Sequence, residues 1–430
     1  ILGRPTDTTV ALNYLGTEPR DIAVRYGAAD GAWSREIGPF AVESGSPVVL
    51  TLEGLSPGQP HTYRVLHRAS GGASWLVSEP RTFHTARRDG AAFTFTVQAD
   101  SHRDDNSNFD LYRQTLTNVR ADRPDFHIDL GDTFRTDTIV NPRATLTYPL
   151  VVDRAIAHRP LFNVITPDAP LFLVPGNHDS EYLYYTRAES GQDPNLPLWS
   201  TNARVSQYPN PVPDTFYSGD KTVYPGVVNG GLRQSYYAFT WGDALFVAID
   251  PYWNMPAQNA NNWVPVLGDA QYEWLKQTLR ASKSKYKFVF SHHLLGQGRG
   301  HVEALQREIG LDQRVEDAVL DLGLVVEAGG ELFALAVQQF HHRGLAAAVL
   351  VRAGRAEQFG EVARHLLGLA RRGLGFAALP QADHQAQAER GKHQRAADGN
   401  GRIAARPEVE PVPPVFGAHA RHGPPAAAQG

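Results

Sequence analysis

The chain contains no cysteine, which excludes disulfides, thiolate metal sites and cysteine nucleophiles together. Any metal must then be held by His, Asp, Glu and Asn, donors suited to harder divalent or trivalent ions. No apolar run reaches the roughly 18 residues that a membrane-spanning helix needs, so no bilayer span is expected. Charge of one sign is also lacking: the formal net charge is -4, which gives no field to attract nucleic acid or a membrane surface. The opening ILGRPTDTTVALNY has neither an initiator Met nor the charged and apolar regions of a leader. Either a signal peptide has been removed or the sequence is a piece of a longer one.

A further absence divides the chain. The last Trp is Trp274, the last Thr is Thr278, the last Tyr is Tyr286 and the last Ser is Ser291. From about residue 302 onward Ala, Gly, Arg, Leu, Gln, His and Pro dominate, and Lys392 is the only lysine. Such usage is far from that of ordinary domains. It reads either as a biased helical and disordered tail or, the favoured expectation, as a frameshifted or chimeric join over 302–430.

What is present falls into two further regions. Residues 1–88 carry short alternating segments, TTVALNY, DIAVRYG, PVVLTLEG, HTYRVLH and the stretch from Trp75 to Phe83, separated by Gly and Pro. That spacing predicts an all-β sandwich. Residues 89–301 change period: FTFTV, FHIDL, LFLVP, ALFVAI and KFVFS are nearly continuous apolar runs, as in strands covered on both faces. Between them FDLYRQTLTNVRA and AQYEWLKQTLRAS have helical periodicity, with Trp274, Leu275 and Leu279 on one face of the second. Buried strands alternating with helices predict an α/β domain.

Polar clusters follow several of these strands directly. FTFTVQA runs into Asp100-Ser101-His102, FHIDL into Gly131-Asp132, LFLVP into Gly176-Asn177-His178-Asp179, and KFVF into Ser291-His292-His293. Ligands of open α/β sheets gather beyond the carboxyl ends of strands, so four strands can deliver these groups to one point. Taken singly each cluster has a bland explanation. Asp-x-His arises by chance, Gly-Asp and Gly-Asn-His-Asp are partly turn chemistry, and one histidine of the pair could simply pack. Together, in this order and each at a strand end, they point to a metal site.

The order Asp-x-His, Gly-Asp, Gly-Asn-His-Asp and His resembles the calcineurin-like metallophosphoesterase superfamily. SYYAFTWGDALFVAID and AQYEWLKQTLRASKSKYKFVFSHH resemble the elements preceding its fourth motif. LEGLSPGQPHTYRV resembles the corner of fibronectin III-like modules, with His61 at the usual tyrosine position and Tyr63 two residues on. Such a sandwich is a familiar companion of purple-acid-phosphatase-like enzymes and, by itself, reads as a spacer without chemistry. The resemblance covers about 93 to 300 and implies a four-layer αββα sandwich. It implies two metal ions, Mn, Fe or Zn: Asp100 and His102 on the first, Asp132 bridging, Asn177 and His292 on the second. His178 would face the substrate, with Asp179 orienting its ring. A metal-bridging hydroxide would attack phosphorus in line. The expected substrate is a phosphate-ester small molecule or a phosphorylated substrate, mono- or diester, and the expected location is secreted or periplasmic.

Two departures qualify this. Where purple acid phosphatases have Asp-x-Gly and a tyrosine after the second motif, this chain has His102 and Arg135, so no iron–tyrosinate colour is expected. The closing Gly-His-x-His motif is missing. Gly300-His301 follows His292 too closely, and His341-His342 lacks the glycine. VEDAVLDLGLVVEAGGELFALAVQQ has the outline of helix, strand, turn and strand, but Gly329 and Glu331 would stand for the histidines. Each metal would lose a ligand, which predicts weak or no activity. The alternative is a catalytically dead binding or adhesion relative with a vestigial site. The insertion from Glu181 to Arg233, rich in Tyr, Trp and Phe, reads as a long loop that either walls the pocket or packs. Tyr252 and Trp253, just past a strand, either reach the crevice or pack.

Overall fold

The computed structural model describes residues 1–104, 107–139, 146–255, 258–259, 262–263, 266–293, 323–328, 331–335 and 349–353, all of which fall in one compact unit, Ile1–Ala378. Gly300-His301, Gly329 and His341-His342 lie outside the described residues. The first region supplies strands β1 (Leu2–Gly3), β2 (Val10–Tyr14), β3 (Arg20–Ala28), β4 (Arg35–Val42), β5 (Val48–Leu52), β6 (Pro60–Ala69), β7 (Leu76–Val77) and β8 (Arg81–His84). Then come β9 (Phe93–Gln98), α1 (Phe109–Ala121), β10 (Phe126–Asp129), α2 (Tyr148–Phe162), β11 (Leu171–Leu173), α3 (Leu196–Gln207), β12 (Ser218–Gly219), β13 (Tyr237–Trp241) and β14 (Ala244–Ala248). The short pair β15 (Gln258–Asn259) and β16 (Asn262–Trp263), α4 (Asp269–Ala281), β17 (Tyr286–Ser291), β18 (Gly323–Ala328), β19 (Glu331–Leu335) and β20 (Val349–Ala353) complete the series.

The first region is a β-sandwich. Strands β4-β3-β6-β7, with β8 also on β6, face β1-β2-β5. Alternation drives the packing: Ile22, Val24 and Tyr26 of β3 meet Leu12, Leu50 and Leu52 in one core with Tyr63 and Phe83. His61 occupies the corner. Its Nε2–H donates to the Ser56 carbonyl at 3.0 Å, a bond back to upstream backbone of the kind a corner tyrosine makes. Strand β4 escaped the sequence reading because only Val42 of its residues is buried, and because Gly38 and Pro39 interrupt it where its register against β3 shifts. A bulge tolerates both residues.

The sandwich is not a separate bead. β1 lies parallel to β11 with Gly3 opposite Leu171, so its second sheet continues into a seven-stranded sheet, β20-β9-β10-β11-β1-β2-β5. A six-stranded sheet, β12-β13-β14-β17-β18-β19, packs against this one. The interface is largely aromatic: Phe95 is edge-on to Phe246 at 5.0 Å, Phe126 to Trp241 at 5.0 Å, and Phe172 stacks on Phe239 at 4.5 Å. Such geometries add roughly 0.5–1.5 kcal/mol per pair beyond area burial. Helices α1, α2 and α3 cover the outside of the first sheet, and α4 covers the second through Leu275, Trp274 and Leu279. This is the expected four-layer αββα arrangement. Among the described residues no helix is long and apolar enough to cross a membrane.

Two corrections concern helices. The insertion from Glu181 to Arg233 is not a plain loop: it contains α3, most of whose residues are buried, polar ones included, so no polar stripe marked it. Helix α2 was also missed, since it carries Pro160 near its end and buries Val151, Ala155, His158, Arg159, Leu161 and Phe162 on more than one side. Beyond residue 302, β18 pairs antiparallel with β17 and β19 with β18, while β20 pairs with β9. Both sheets therefore continue past 301.

His158 tests the packing by pH. It is fully buried, edge-on to Phe162 at 4.6 Å, and neither ring nitrogen has a hydrogen-bond partner among the described residues. Burial, helped by Arg103 and Arg154, lowers its pKa to about 3. Above pH ~6.5 the ring is neutral in both states and contributes nothing. As pH falls below that, the unfolded chain takes up a proton that the native state refuses, and stability is lost down to about pH 3. At pH 5 the loss from this one ring is about 2 kcal/mol. Urea midpoints of His158→Leu are expected to fall less than wild type between pH 7 and pH 5; an identical fall would overturn this.

Candidate metal centre

Strands β9, β10 and β11 run parallel, as do β14 and β17, so the clusters following β9, β10, β11 and β17 emerge together. The turns are stitched before any side chain acts. Asp100 N–H donates to the Gly131 carbonyl at 3.0 Å and His102 N–H to the Asp132 carbonyl at 3.0 Å. Asp100, His102 and Asp132 all have positive φ, 58°, 32° and 54°, a region costly for non-glycine residues and common at functional sites. Gly131 and Gly176 let two turns touch: a Cβ on Gly176 would overlap the Asp132 backbone nitrogen, and one on Gly131 would overlap Gly176.

Asp132 is the hub and is 1% exposed. Its Oδ2 lies 3.2 Å from His102 Nε2 and 3.3 Å from His292 Nε2. Its Oδ1 accepts the His178 main-chain N–H at 2.6 Å. Asp100 Oδ1 is 3.5 Å from His102 Nε2, and one donor atom each from Asp100, Asp132 and His292 fit within 4.8 Å of one another. Asn177 is buried in the turn of residues 177–179, and its backbone carbonyl accepts the Tyr182 hydroxyl.

The donor set suits a cation. His292 Nδ1–H donates to the Leu130 carbonyl at 3.0 Å, which fixes the tautomer and turns the Nε2 lone pair toward the Asp132 carboxylate. That nitrogen is buried and lies 3.3 Å from Asp132 Oδ2, so a proton or a cation has to stand between the two. The protonation equilibria report the same demand for positive charge. Burial opposes charging His102, but Asp100 and Asp132 prevail and raise it to about 10. Burial likewise opposes His292, which Asp132 and Asp100 raise to about 9. For Asp132, burial favours the neutral acid, yet His292 and His178 hold it well below the usual carboxylate range. A bound cation supplies that charge and displaces those protons.

Asp179 has a different task from the one expected. The His178 ring is held by Asp137, whose Oδ2 lies 2.9 Å from Nδ1. Asp179 instead accepts the main-chain N–H groups of Asp132 (2.9 Å), Thr133 (3.1 Å), Phe134 (3.0 Å) and Gly176 (2.9 Å). It is thus committed to locking the Gly131 and Gly176 turns together and cannot also orient the ring. Burial and the charge of Asp132 push Asp179 up to about 7, against the N–H donors that favour its ionised form. Asp137 carried no motif; its position five residues after Asp132 was the only signal.

Arg135 sits at the rim, ion-paired with Asp104 and with Nη1 3.4 Å from His102 Nδ1. Glu331 is at the wrong end of the sheet. It pairs with Ala328, which pairs with Tyr286 at the start of β17, whereas His292 follows the end of that strand. A buried charge network, also not anticipated, lies behind the turn. Arg204 Nε and Nη2 reach Glu181 at 2.6 and 2.8 Å. Arg233 reaches Asp250 at 2.9 Å and lies 3.6 Å above the Trp253 ring.

The family profile for calcineurin-like phosphoesterases matches residues 93–315. The chain therefore belongs to the calcineurin-like phosphoesterase family, whose members are phosphoester hydrolases. Among solved structures it is similar to PhoD, at 17% identity and a TM-score of 0.49 over 67% of this chain and 60% of that one. It is also similar to the purple acid phosphatase PPD1 from yellow lupin, at 13% identity and a TM-score of 0.49 over 82% of this chain and 69% of that one. The chain thus spans less than two thirds of the PhoD chain. No curated protein matches it.

Proposed function

We propose that the chain hydrolyses phosphate mono- or diesters at a two-metal centre. Asp100 and His102 would hold one ion, Asn177 (through its side-chain carbonyl) and His292 the other, with Asp132 shared; Mn, Fe and Zn suit these donors. One observation carries the reading: a single carboxylate oxygen of Asp132 lies 3.2 Å from His102 Nε2 and 3.3 Å from His292 Nε2. When bound, such a pair supplies a hydroxide nucleophile at neutral pH and offsets charge on phosphoryl oxygens.

The chain's own residues do the rest. His178 is positioned twice, by its main-chain N–H on Asp132 and by its Nδ1 on Asp137. Burial opposes its charging, but Asp132 and Asp137 raise its pKa, so Nε2–H serves as donor to a phosphoryl or leaving oxygen. Asp179 keeps the two turns in register. With Gly-His-x-His missing, each ion is one ligand short, and weak binding with slow turnover follows. That same gap favours the second reading, a binding relative without catalysis. The location proposed is secreted or periplasmic.

Calorimetric titration of metal-free protein with Mn(II) or Zn(II), paired with an aryl phosphate assay, separates these. Weak uptake of two ions and slow hydrolysis abolished by chelator are expected. No metal uptake sinks the reading, one loosely held ion without turnover favours the binding relative, and two tight ions with full activity refute the impairment. Resequencing from about codon 285 tests the join: a second frame running from His301 into Gly-His-x-His would restore a complete site.

A further inference from the structure

A cavity of about 880 Å³ opens at the end of the six-stranded sheet opposite the candidate centre. That size lies within the range of small-molecule sites. Its lining includes the part of the sheet where Thr240 pairs with Leu245, and the C-terminal half of α4 from Trp274 to Ala281. Asp243 and Lys285, which immediately precede β14 and β17, also line it. His292 follows the far end of β17. The six residues of that strand, at about 3.3 Å each, put roughly 20 Å between the two places. The cavity is thus separate from the metal ligands.

The lining selects a class of ligand. Two carboxylates, Asp89 and Asp243, stand against two ammonium groups, Lys283 and Lys285, so there is no net charge to draw an ion of either sign. The last turn of α4 ends here, and its carbonyls carry partial negative charge that disfavours an anion and favours hydroxyl donors. Neutral groups that both donate and accept lie between the charges: the hydroxyls of Ser218, Thr240 and Thr278 and the amide of Gln277. Among the described residues none of these four side chains is spent on another hydrogen bond. Trp274, whose ring lies 4.8 Å from that of Tyr236, and Leu245 add an apolar patch. A pyranose has the complementary surface, with hydroxyls around its rim that donate and accept and C–H groups on its faces that pack on an aromatic ring. We propose that this cavity binds a neutral saccharide, as a second ligand site that does not depend on the two-metal reading.

The test is isothermal titration calorimetry of the full chain with two neutral glucose oligomers, maltotriose and cellotriose, and with inorganic phosphate as competitor. Saturable binding of at least one oligomer is expected, unaffected by phosphate. Its affinity is expected to fall about tenfold or more in Trp274→Ala and in Gln277→Ala, the loss of one good contact. Gln277 is exposed, so its variant keeps the test decisive even where Trp274→Ala fails to fold. No saturable binding of either oligomer overturns the site. Binding that Gln277→Ala retains in full overturns its location, and displacement of the saccharide by phosphate overturns the neutral chemistry. A chain that takes up no metal removes the two-metal reading and leaves every one of these outcomes as it stands.

Discussion

Asp132→Asn is expected to lower kcat/KM on an aryl phosphate by about 1,000-fold or more, equivalent to about 4 kcal/mol of transition-state stabilisation. It is also expected to release at least one of the ions. Asparagine nearly matches aspartate in size and tolerates the left-handed backbone that residue 132 adopts, φ 54°, so the turn survives. What disappears is the charge between His102 and His292, which, with that of Asp100, raises the pKa of both rings. Metal content by mass spectrometry and single-turnover hydrolysis check it. A variant that keeps both ions and turns over within tenfold of wild type would falsify Asp132 as the shared ligand.

Arg204→Met is expected to cost about 3–5 kcal/mol of folding stability, because one partner of a buried ion pair is removed and the other charge is left behind. Arg204 and Glu181 are 2% and 1% exposed in their side chains. Glu181 would retain Thr201 at 3.0 Å and Arg233 at 3.6 Å, while the Arg233 and Gln234 carbonyls would lose the donors that now reach them at 2.7 and 3.1 Å. Glu181 sits two residues beyond Asp179, so the damage transmits to the turn carrying Asn177 and His178. Urea unfolding is the measurement, and a loss below 1 kcal/mol would show that the network contributes little. The double variant Glu181→Leu/Arg204→Met is expected to cost less than the sum of its parts, as for any coupled pair.

These two residues differ in how visible they were. Asp132 was legible in the sequence because its environment is local: an apolar run, Gly131, then a carboxylate. Arg204 was not, because its partners lie 23 and 29 residues away along the chain and because its helix, buried on several sides, shows no polar stripe. The same holds for His178, which pairs with Asp137 across 41 residues while the adjacent carboxylate of Asp179 is drawn off by four main-chain donors.

The layer order came only with the family resemblance, but the sequence by itself determined helices α1 and α4, most of the longer strands (though not β4), the α/β class and which groups stand at strand ends. Each follows from contacts between near neighbours or from a hydrophobic period, and both are written along the chain. Only the tertiary structure decided which carboxylate holds His178, that β1 would fuse the sandwich to the central sheet through Leu171, that Glu331 pairs in register with the start of β17 and not with its His292 end, and that the Tyr252 ring lies near both His292 and Tyr182. Those outcomes depend on how distant surfaces dock and on which of several competing donors reaches an acceptor first in a water-poor interior, where one satisfied hydrogen bond excludes another.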